Sequence, residues 1–318
     1  MTGSPTSRQV IVVDHLRKTY GSTVAVDDLS FTVDEGEIFG VIGPNGAGKT
    51  TAVECVAGLR TADGGSVRVL GLDPVRDRAL LHARVGVQLQ EASMPPKIRV
   101  LEALELFASF YQEPASPEEL MTLLGLSAKR HEYVKRLSGG LKQRLSVGLA
   151  LIGNPAVAVL DELTTGLDPQ ARRDTWELIE HIRDRGVTVL LVTHFMDEAE
   201  RLCDRVMLVD HGRVTALDTP AALAERTGGG TTLSFLPSQP FAGDVLTQLP
   251  DVSQVEQEGD RIRVTGTGDL VPLVLDALSH AGVEAQQVQV HSATLEDAFV
   301  RLTGSITPAP SLAEVGQR

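Results

Sequence analysis

Gly43-Pro44-Asn45-Gly46-Ala47-Gly48-Lys49-Thr50-Thr51 fits the pattern G-x-x-x-x-G-K-[ST], with a second hydroxyl following the first. Ahead of it, Ile38-Phe39-Gly40-Val41-Ile42 reads as a buried strand, and behind it Thr51 to Ala57 reads as the first turns of a helix. Strand, loop and helix in that order are the context the motif needs. Its glycines let successive backbone N–H groups turn inward around a polyphosphate, and the helix start adds unsatisfied donors and a positive dipole end. Lys49 reaches toward the outer phosphates, and the Thr50 hydroxyl is a candidate magnesium ligand. A glycine-rich turn that binds nothing has no need of Lys, Thr, strand and helix in one register.

The chain has 318 residues, 42% of them hydrophobic, and a formal net charge of -13. That length suits two domains with a sizeable core. The acidic balance gives no basic surface to track a phosphate backbone, so no nucleic-acid partner is expected. Cys55 and Cys203 are far apart and lack metal-ligand spacing, which suits buried thiols in a reducing compartment. Residues 1–9 are polar and turn-prone, without the apolar run of a signal peptide, and are expected to be disordered. Nowhere is there a run of about 18 apolar residues, so any membrane role is expected to come through a partner chain.

From Val10 to Val33 the pattern is strand, turn at Tyr20-Gly21-Ser22, and strand again from Asp28 with period-two alternation. These read as antiparallel strands. Tyr20 is either a packing residue at the turn or a platform for an adenine face. Asp63-Gly64-Gly65-Ser66 reads as a hairpin-like turn into Val67 to Leu70. Val85 to Gln90 reads as a strand whose last residue, at the carboxyl end of a parallel sheet, faces the nucleotide crevice, where its amide oxygen can meet a metal or water. Residues from about 95 to 155 read as an inserted helical subdomain. Near its end, Leu137-Ser138-Gly139-Gly140-Leu141 opens a helix, either as an ordinary N-cap or as a second anion site.

Ala156 to Leu160 is an apolar run of the buried parallel-strand kind, and it ends in Asp161-Glu162. Two acids there are costly to bury without partners. Asp161 is placed to act on magnesium through its water shell, and Glu162 to polarise an attacking water. A further buried strand, Val187 to Thr193, delivers His194 to the same sheet edge as the phosphate loop, Gln90 and Glu162.

In this order the motifs resemble the nucleotide-binding subunit of ATP-binding cassette (ABC) transporters, over about Val10 to Thr227. The resemblance makes Gly43 to Thr51 the Walker A loop, with Gly43, Asn45, Gly46, Gly48, Lys49, Thr50 and Thr51 on the nucleotide. Gln90 becomes the Q-loop, Leu137 to Leu141 the family signature, and Val157 to Glu162 the Walker B strand with its catalytic Glu. Gly166-Leu167-Asp168 matches the D-loop, His194 the switch histidine and Tyr20 the adenine-stacking aromatic. The fold this implies is an α/β P-loop NTPase cassette with antiparallel β and helical subdomains. The activity it implies is ATP hydrolysis with ATP and magnesium: Thr50, Gln90 and Asp161 on the metal, and Glu162, His194 and Lys49 in catalysis.

The signature lies too far along the chain to close over its own phosphate loop. In the family two subunits pair head to tail, so Ser138, Gly139 and Gly140 of one cover the γ-phosphate held by the other. A homodimer is therefore expected, with these residues and Asp168 counted as nucleotide-binding. Its opening after hydrolysis would drive a separate integral-membrane permease, which places the subunit at the cytoplasmic face of the cell membrane. Leu163 stands where the family usually has Pro, and Leu141 where the signature usually ends in Gln. The first departure is expected to loosen the turn after Glu162. An alternative reading, a cassette ATPase acting on ribosomes or DNA, meets two obstacles: one phosphate loop only, and no heptad insert.

Thr227-Gly228-Gly229-Gly230 reads as a joint, ending a nucleotide-binding domain at residues 10–227. The pattern over 228–304 is β-α-β-β-α-β, the ferredoxin-like order of a small α+β domain, with helices expected at Phe241 to Leu249 and Leu270 to His280. Leu295 to Gly304 resembles the end of ATPases from drug-resistance exporters of the ABC-2 type, daunorubicin exporters among them. The resemblance implies antibiotic efflux as the transported task. Residues 305–318 read as a disordered tail.

Overall fold

Ile11, Val13 and Leu16 are buried along the first strand while Asp14, His15 and Arg17 are exposed, so one face of that strand is laid on a core. The computed structural model describes residues 8–88, 95, 97–226, 230–239, 241, 244–291 and 293–303. Expectations for residues 1–7, Gln90, 91–94, 227–229 and 304–318 lie outside the described residues. The elements run β1 (Gln9–Tyr20), β2 (Thr23–Asp34), β3 (Ile38–Ile42), α1 (Lys49–Val56), β4 (Gly64–Val69), α2 (Arg78–His82) and β5 (Val85–Gln88). Next come α3 (Val100–Ala108), α4 (Pro117–Leu123), α5 (Gly139–Leu151), β6 (Val157–Asp161), α6 (Pro169–Asp184), β7 (Thr188–Thr193) and α7 (Met196–Leu202). After β8 (Arg205–Asp210), β9 (Arg213–Asp218) and α8 (Pro220–Arg226), the chain continues into a second set of elements.

Two sheets build the first part. β2-β1-β4 is antiparallel, and β5-β6-β7-β3-β8-β9 is parallel except for β9. Every residue of β3, β6 and β7 is buried, which is why these strands read as continuous apolar runs. The two sheets share one core with α1. At its centre Phe31 of β2 stacks on Phe39 of β3, with ring centroids 5.5 Å apart, a contact worth about 0.5–1.5 kcal/mol beyond area burial. The helical segment packs through α3 and α5, and Arg144 on α5 reaches Asp174 on α6 at 2.7 Å. Because β3, β5, β6 and β7 run parallel, their carboxyl ends share one edge of the sheet, where ligands of open α/β sheets bind.

The chain divides into two compact units between Pro220 and Ala221, one residue into α8. The second unit contains β10 (Thr231–Pro237), α9 (Asp244–Thr247), β11 (Val252–Glu258), β12 (Arg261–Gly266), α10 (Leu270–His280), β13 (Ala285–His291) and α11 (Leu295–Thr303). Its antiparallel order β11-β12-β10-β13 is that of the expected ferredoxin-like arrangement. Leu233, Phe235, Ile262 and Val264 meet Leu270, Val274 and Leu278 of α10 in its core.

Two local expectations are corrected. Gly64 and Gly65 lie inside β4, not in a turn. Gly65 has φ +78°, and a Cβ there would sit 2.2 Å from the His15 carbonyl, where β1 breaks register between Asp14 and Arg17; close approach at a bulge, not chain reversal, requires the glycine. Of the helix expected over Phe241 to Leu249, the described residues are helical at Asp244–Thr247, and Phe241, Gln248 and Leu249 lie outside it. Pro250 biases the residue before it away from helix, which shortens the run.

Candidate active site

Gly48 caps α1 with φ 99°, and a Cβ on it would lie 2.2 Å from the carbonyl oxygen of Ala25. Only glycine fits both constraints. The next residue, Lys49, is 4% exposed and donates from Nζ to the carbonyls of Gly43 at 2.8 Å and Pro44 at 3.0 Å. Burial lowers its pKa, while Glu162 and Asp161 pull the other way. The loop borders a cleft of about 430 Å³ lined by Asn45, Gly46, Gly48, Lys49, Thr50 and Thr51, with Ala25 and Glu162 completing the wall.

Asp161 ends β6, and 1% of it is exposed. Its Oδ2 lies 3.4 Å from Thr50 Oγ1, and its Oδ1 is buried without a hydrogen-bond partner. Desolvation, reinforced by the neighbouring Glu162 charge, pushes its carboxyl up to about 6. An orphaned buried carboxylate oxygen beside a hydroxyl is a hard-donor pair that suits a magnesium ion. Among the described residues no three His, Cys, Asp or Glu side chains gather into a metal cluster; a magnesium here would take its remaining ligands from phosphate and water, as that ion commonly does.

Glu162 adopts φ 49°, a left-handed conformation that costs a non-glycine residue about 1–3 kcal/mol. Its N–H donates to Val192 O on β7 at 2.9 Å, and its Oε1 lies 3.3 Å from His194 Nδ1. The His194 ring rests on Phe195, with centroids 4.1 Å apart. Leu163 and Thr164, in the turn after Glu162, are fully buried.

The remaining expected residues stand apart from the cleft lining. Ser138 caps α5, its hydroxyl accepting from Leu141 N at 3.4 Å, and a Cβ on Gly140 would meet Ala171 at 3.3 Å. Gly139 faces Leu167. Asp168 caps α6, accepting from the N–H groups of Gln170 and Ala171 at 3.0 and 2.9 Å. Signature and D-loop thus form one surface around the starts of α5 and α6. Tyr20 is 41% exposed, with Arg60 Cζ 5.1 Å and Lys18 Nζ 5.7 Å from its ring centroid. Gln90 lies outside the described residues. Sequence reasoning missed Gln88, which is buried and accepts at Oε1 from the Asp161 N–H at 3.1 Å. An amide inside the apolar run Val85-Gly86-Val87-Gln88-Leu89 was the signal available.

Residues 26–165 match the family model described as ABC transporter. The chain is 39% identical over 305 residues to Nod factor export ATP-binding protein I of Paraburkholderia xenovorans, with 92% of this chain and 97% of that protein covered. It is 36% identical over 303 residues to daunorubicin resistance ATP-binding protein DrrA3 of Streptomyces coeruleorubidus, covering 92% and 96%. The chain belongs to the ATP-binding subunits of ABC transporters, a family of ATPases. An ABC transporter ATP-binding subunit of known structure superposes with a TM-score of 0.62 at 26% identity, over 69% of this chain and 93% of that one. An ABC cassette solved as a post-hydrolysis dimer with ADP and Pi shares the fold, at a TM-score of 0.59 and 24% identity over 66% and 98%. In this ABC subunit the phosphate loop and Glu162 line one cleft, with Asp161 3.4 Å from Thr50 and His194 3.3 Å from Glu162.

Burial of Asp161 has a stability consequence. Its folded pKa of about 6 lies above the ordinary value of 3.8, so the protonated form favours folding. Stability of the nucleotide-free subunit is therefore expected to fall as pH rises from about 4 to about 6 and to stay lower above that. Asp161→Asn removes this dependence and is expected to stabilise the subunit near neutral pH by on the order of 1–2 kcal/mol, less than the full shift because water reaches the cleft. Thermal unfolding of both proteins across that pH range measures the difference.

Proposed function

We propose that the chain is the ATP-hydrolysing subunit of an exporter, working as a homodimer on a separate membrane permease of the ABC-2 type. The observation that carries this reading is end-to-end similarity to two export or resistance subunits, with 97% and 96% of their lengths covered. Similarity of that extent takes in the second unit as well as the cassette. The relatives' names stand with transport and not with ribosomes or DNA. Efflux of a hydrophobic drug is the substrate class proposed, following the daunorubicin-resistance relative.

In the proposed reaction the backbone N–H groups of Gly46 to Thr50 and the α1 dipole hold the ATP phosphates. Lys49 exchanges its bonds to the Gly43 and Pro44 carbonyls for phosphate oxygens. Magnesium, held by Asp161 and Thr50, supplies charge neutralisation at those oxygens when bound. Glu162 accepts a proton from the attacking water, and His194, 3.3 Å away, orients that carboxylate and the γ-phosphate. Ser138, Gly139, Gly140 and Asp168, which stand outside the cleft lining, serve the site of a second copy. That arrangement is supported by the dimeric form of a cassette with the same fold. Tyr20 offers the exposed part of its ring to the adenine.

For the permease, a cleft of about 630 Å³ beside the helical segment is lined by Leu80, His82, Phe110 and Tyr111. Leu80 and Phe110 are 62% and 69% exposed, unusual for side chains this apolar. No described helix is long and apolar enough to cross a membrane, so attachment is assigned to this groove.

Glu162→Gln is expected to bind ATP with little change, to hydrolyse it at least a hundredfold or so more slowly, and to accumulate as a dimer with ATP. Turnover assays and sedimentation check this, and near-normal turnover sinks the catalytic assignment. Phe110→Asp is expected to leave ATPase of the isolated subunit unchanged while releasing it from membranes that contain its permease. Retention of Phe110→Asp on those membranes contradicts the docking groove.

A further inference from the structure

Glu198 lies in none of the motifs above, yet it is fully buried. It occupies the first turn of α7, shortly after His194. Its Oε1 accepts a hydrogen bond from Trp176 Nε1 at 3.0 Å, across the packed seam of α6 and α7. Burial pushes its pKa up, with Thr193, Thr164 and Trp176 pulling the other way; Oε2 and the Thr164 hydroxyl each lack a hydrogen-bond partner.

The origin of these neighbours is informative. Thr164 follows Glu162 by two positions, Thr193 immediately precedes His194, and Trp176 stands on the helix that Asp168 caps. One buried carboxyl, four residues after the histidine of the 3.3 Å Glu162–His194 pair, is therefore hydrogen-bonded to the helix leading away from the D-loop. A second tie runs along the same seam, where Arg172 on α6 lies over the Phe195 ring at 4.3 Å and reaches Asp197 at 3.4 Å. A fully buried acid is costly compared with an apolar side chain of equal volume. A shared polar anchor sets relative position in a way that an apolar contact does not.

We propose that Glu198 is a positioning residue for ATP hydrolysis, tying the His194-bearing segment to α6 and passing shifts of α6 to the Glu162–His194 pair. The inference rests on the reading of Glu162 and His194 as the hydrolytic pair. The partners of Glu198 lie outside the phosphate loop, so the effect belongs on the chemical step and not on ATP binding.

The test measures kcat, KM and equilibrium ATP affinity of the full chain, with emission from Trp176, its single tryptophan. In Glu198→Ala, kcat is expected to fall about ten- to a hundredfold, with KM and ATP affinity within about twofold of wild type. Trp176 emission should shift as the indole loses its acceptor. Glu198→Gln keeps an acceptor of the same shape and is expected to recover most of the rate. If Glu198→Ala does not fold, Trp176→Phe, which removes the same hydrogen bond from the other side, decides by the same split between kcat and KM. A folded Glu198→Ala with wild-type kcat overturns the proposal, as does a loss that ATP affinity shares in full. Glu162→Gln run in parallel separates the two levels. If it still turns over, the catalytic reading falls and the inference with it; if it is inactive while Glu198→Ala is fully active, the inference falls alone.

Discussion

A carboxylate carried, almost fully buried, to the end of a strand is the constraint around which the cassette is arranged. Asp161 has one oxygen near Thr50 and one without a partner, and its main-chain N–H is taken by the Gln88 side chain. Burial and the adjacent Glu162 charge both raise its pKa. In isolation this costs stability. A divalent cation bound there with its phosphates would remove that cost and would link nucleotide binding to local stability at one side chain. Lys49, whose charged form burial also disfavours, faces the same change of surroundings when phosphate arrives.

The geometry also divides the labour between two surfaces. The cleft is made by the phosphate loop and Glu162. The signature and D-loop residues gather around the starts of α5 and α6, with Gly140 against Ala171 and Asp168 occupied as a helix cap. One copy therefore presents a cleft at the loop and a separate surface at the two helix starts. Strand order links them: β7 lies between β6 and β3, so His194 at its end is next to both the Glu162 strand and the strand that leads into the loop.

Much of this was legible in the sequence because it is set by local chemistry. Gly48 must tolerate φ 99° with Ala25 O at its back, and the motif announces such a glycine. The apolar runs before Asp161 and His194 announced buried strands, since β6 and β7 have no exposed residue to alternate. The β-α-β-β-α-β order likewise foretold the sheet of the second unit. What stayed hidden depends on contacts distant in sequence. Gly65 looks like a turn glycine until the His15 bulge is placed opposite it. Gln88 and Glu198 look like stray polar residues until Asp161 and Trp176 are brought to them. The burial of Leu163 is likewise a tertiary fact.

The central claim is that a working site takes its phosphate loop from one copy and its signature from another. The most direct measurement mixes two inactive variants, Lys49→Ala and Ser138→Arg, in the presence of ATP and magnesium, and follows phosphate release against each variant alone. In a mixed dimer one site combines the intact loop of the Ser138→Arg chain with the intact signature of the Lys49→Ala chain. The account predicts ATPase activity that appears only on mixing and saturates with the second variant. Activity that stays at the level of the separate variants, despite formation of the mixed dimer, would contradict it.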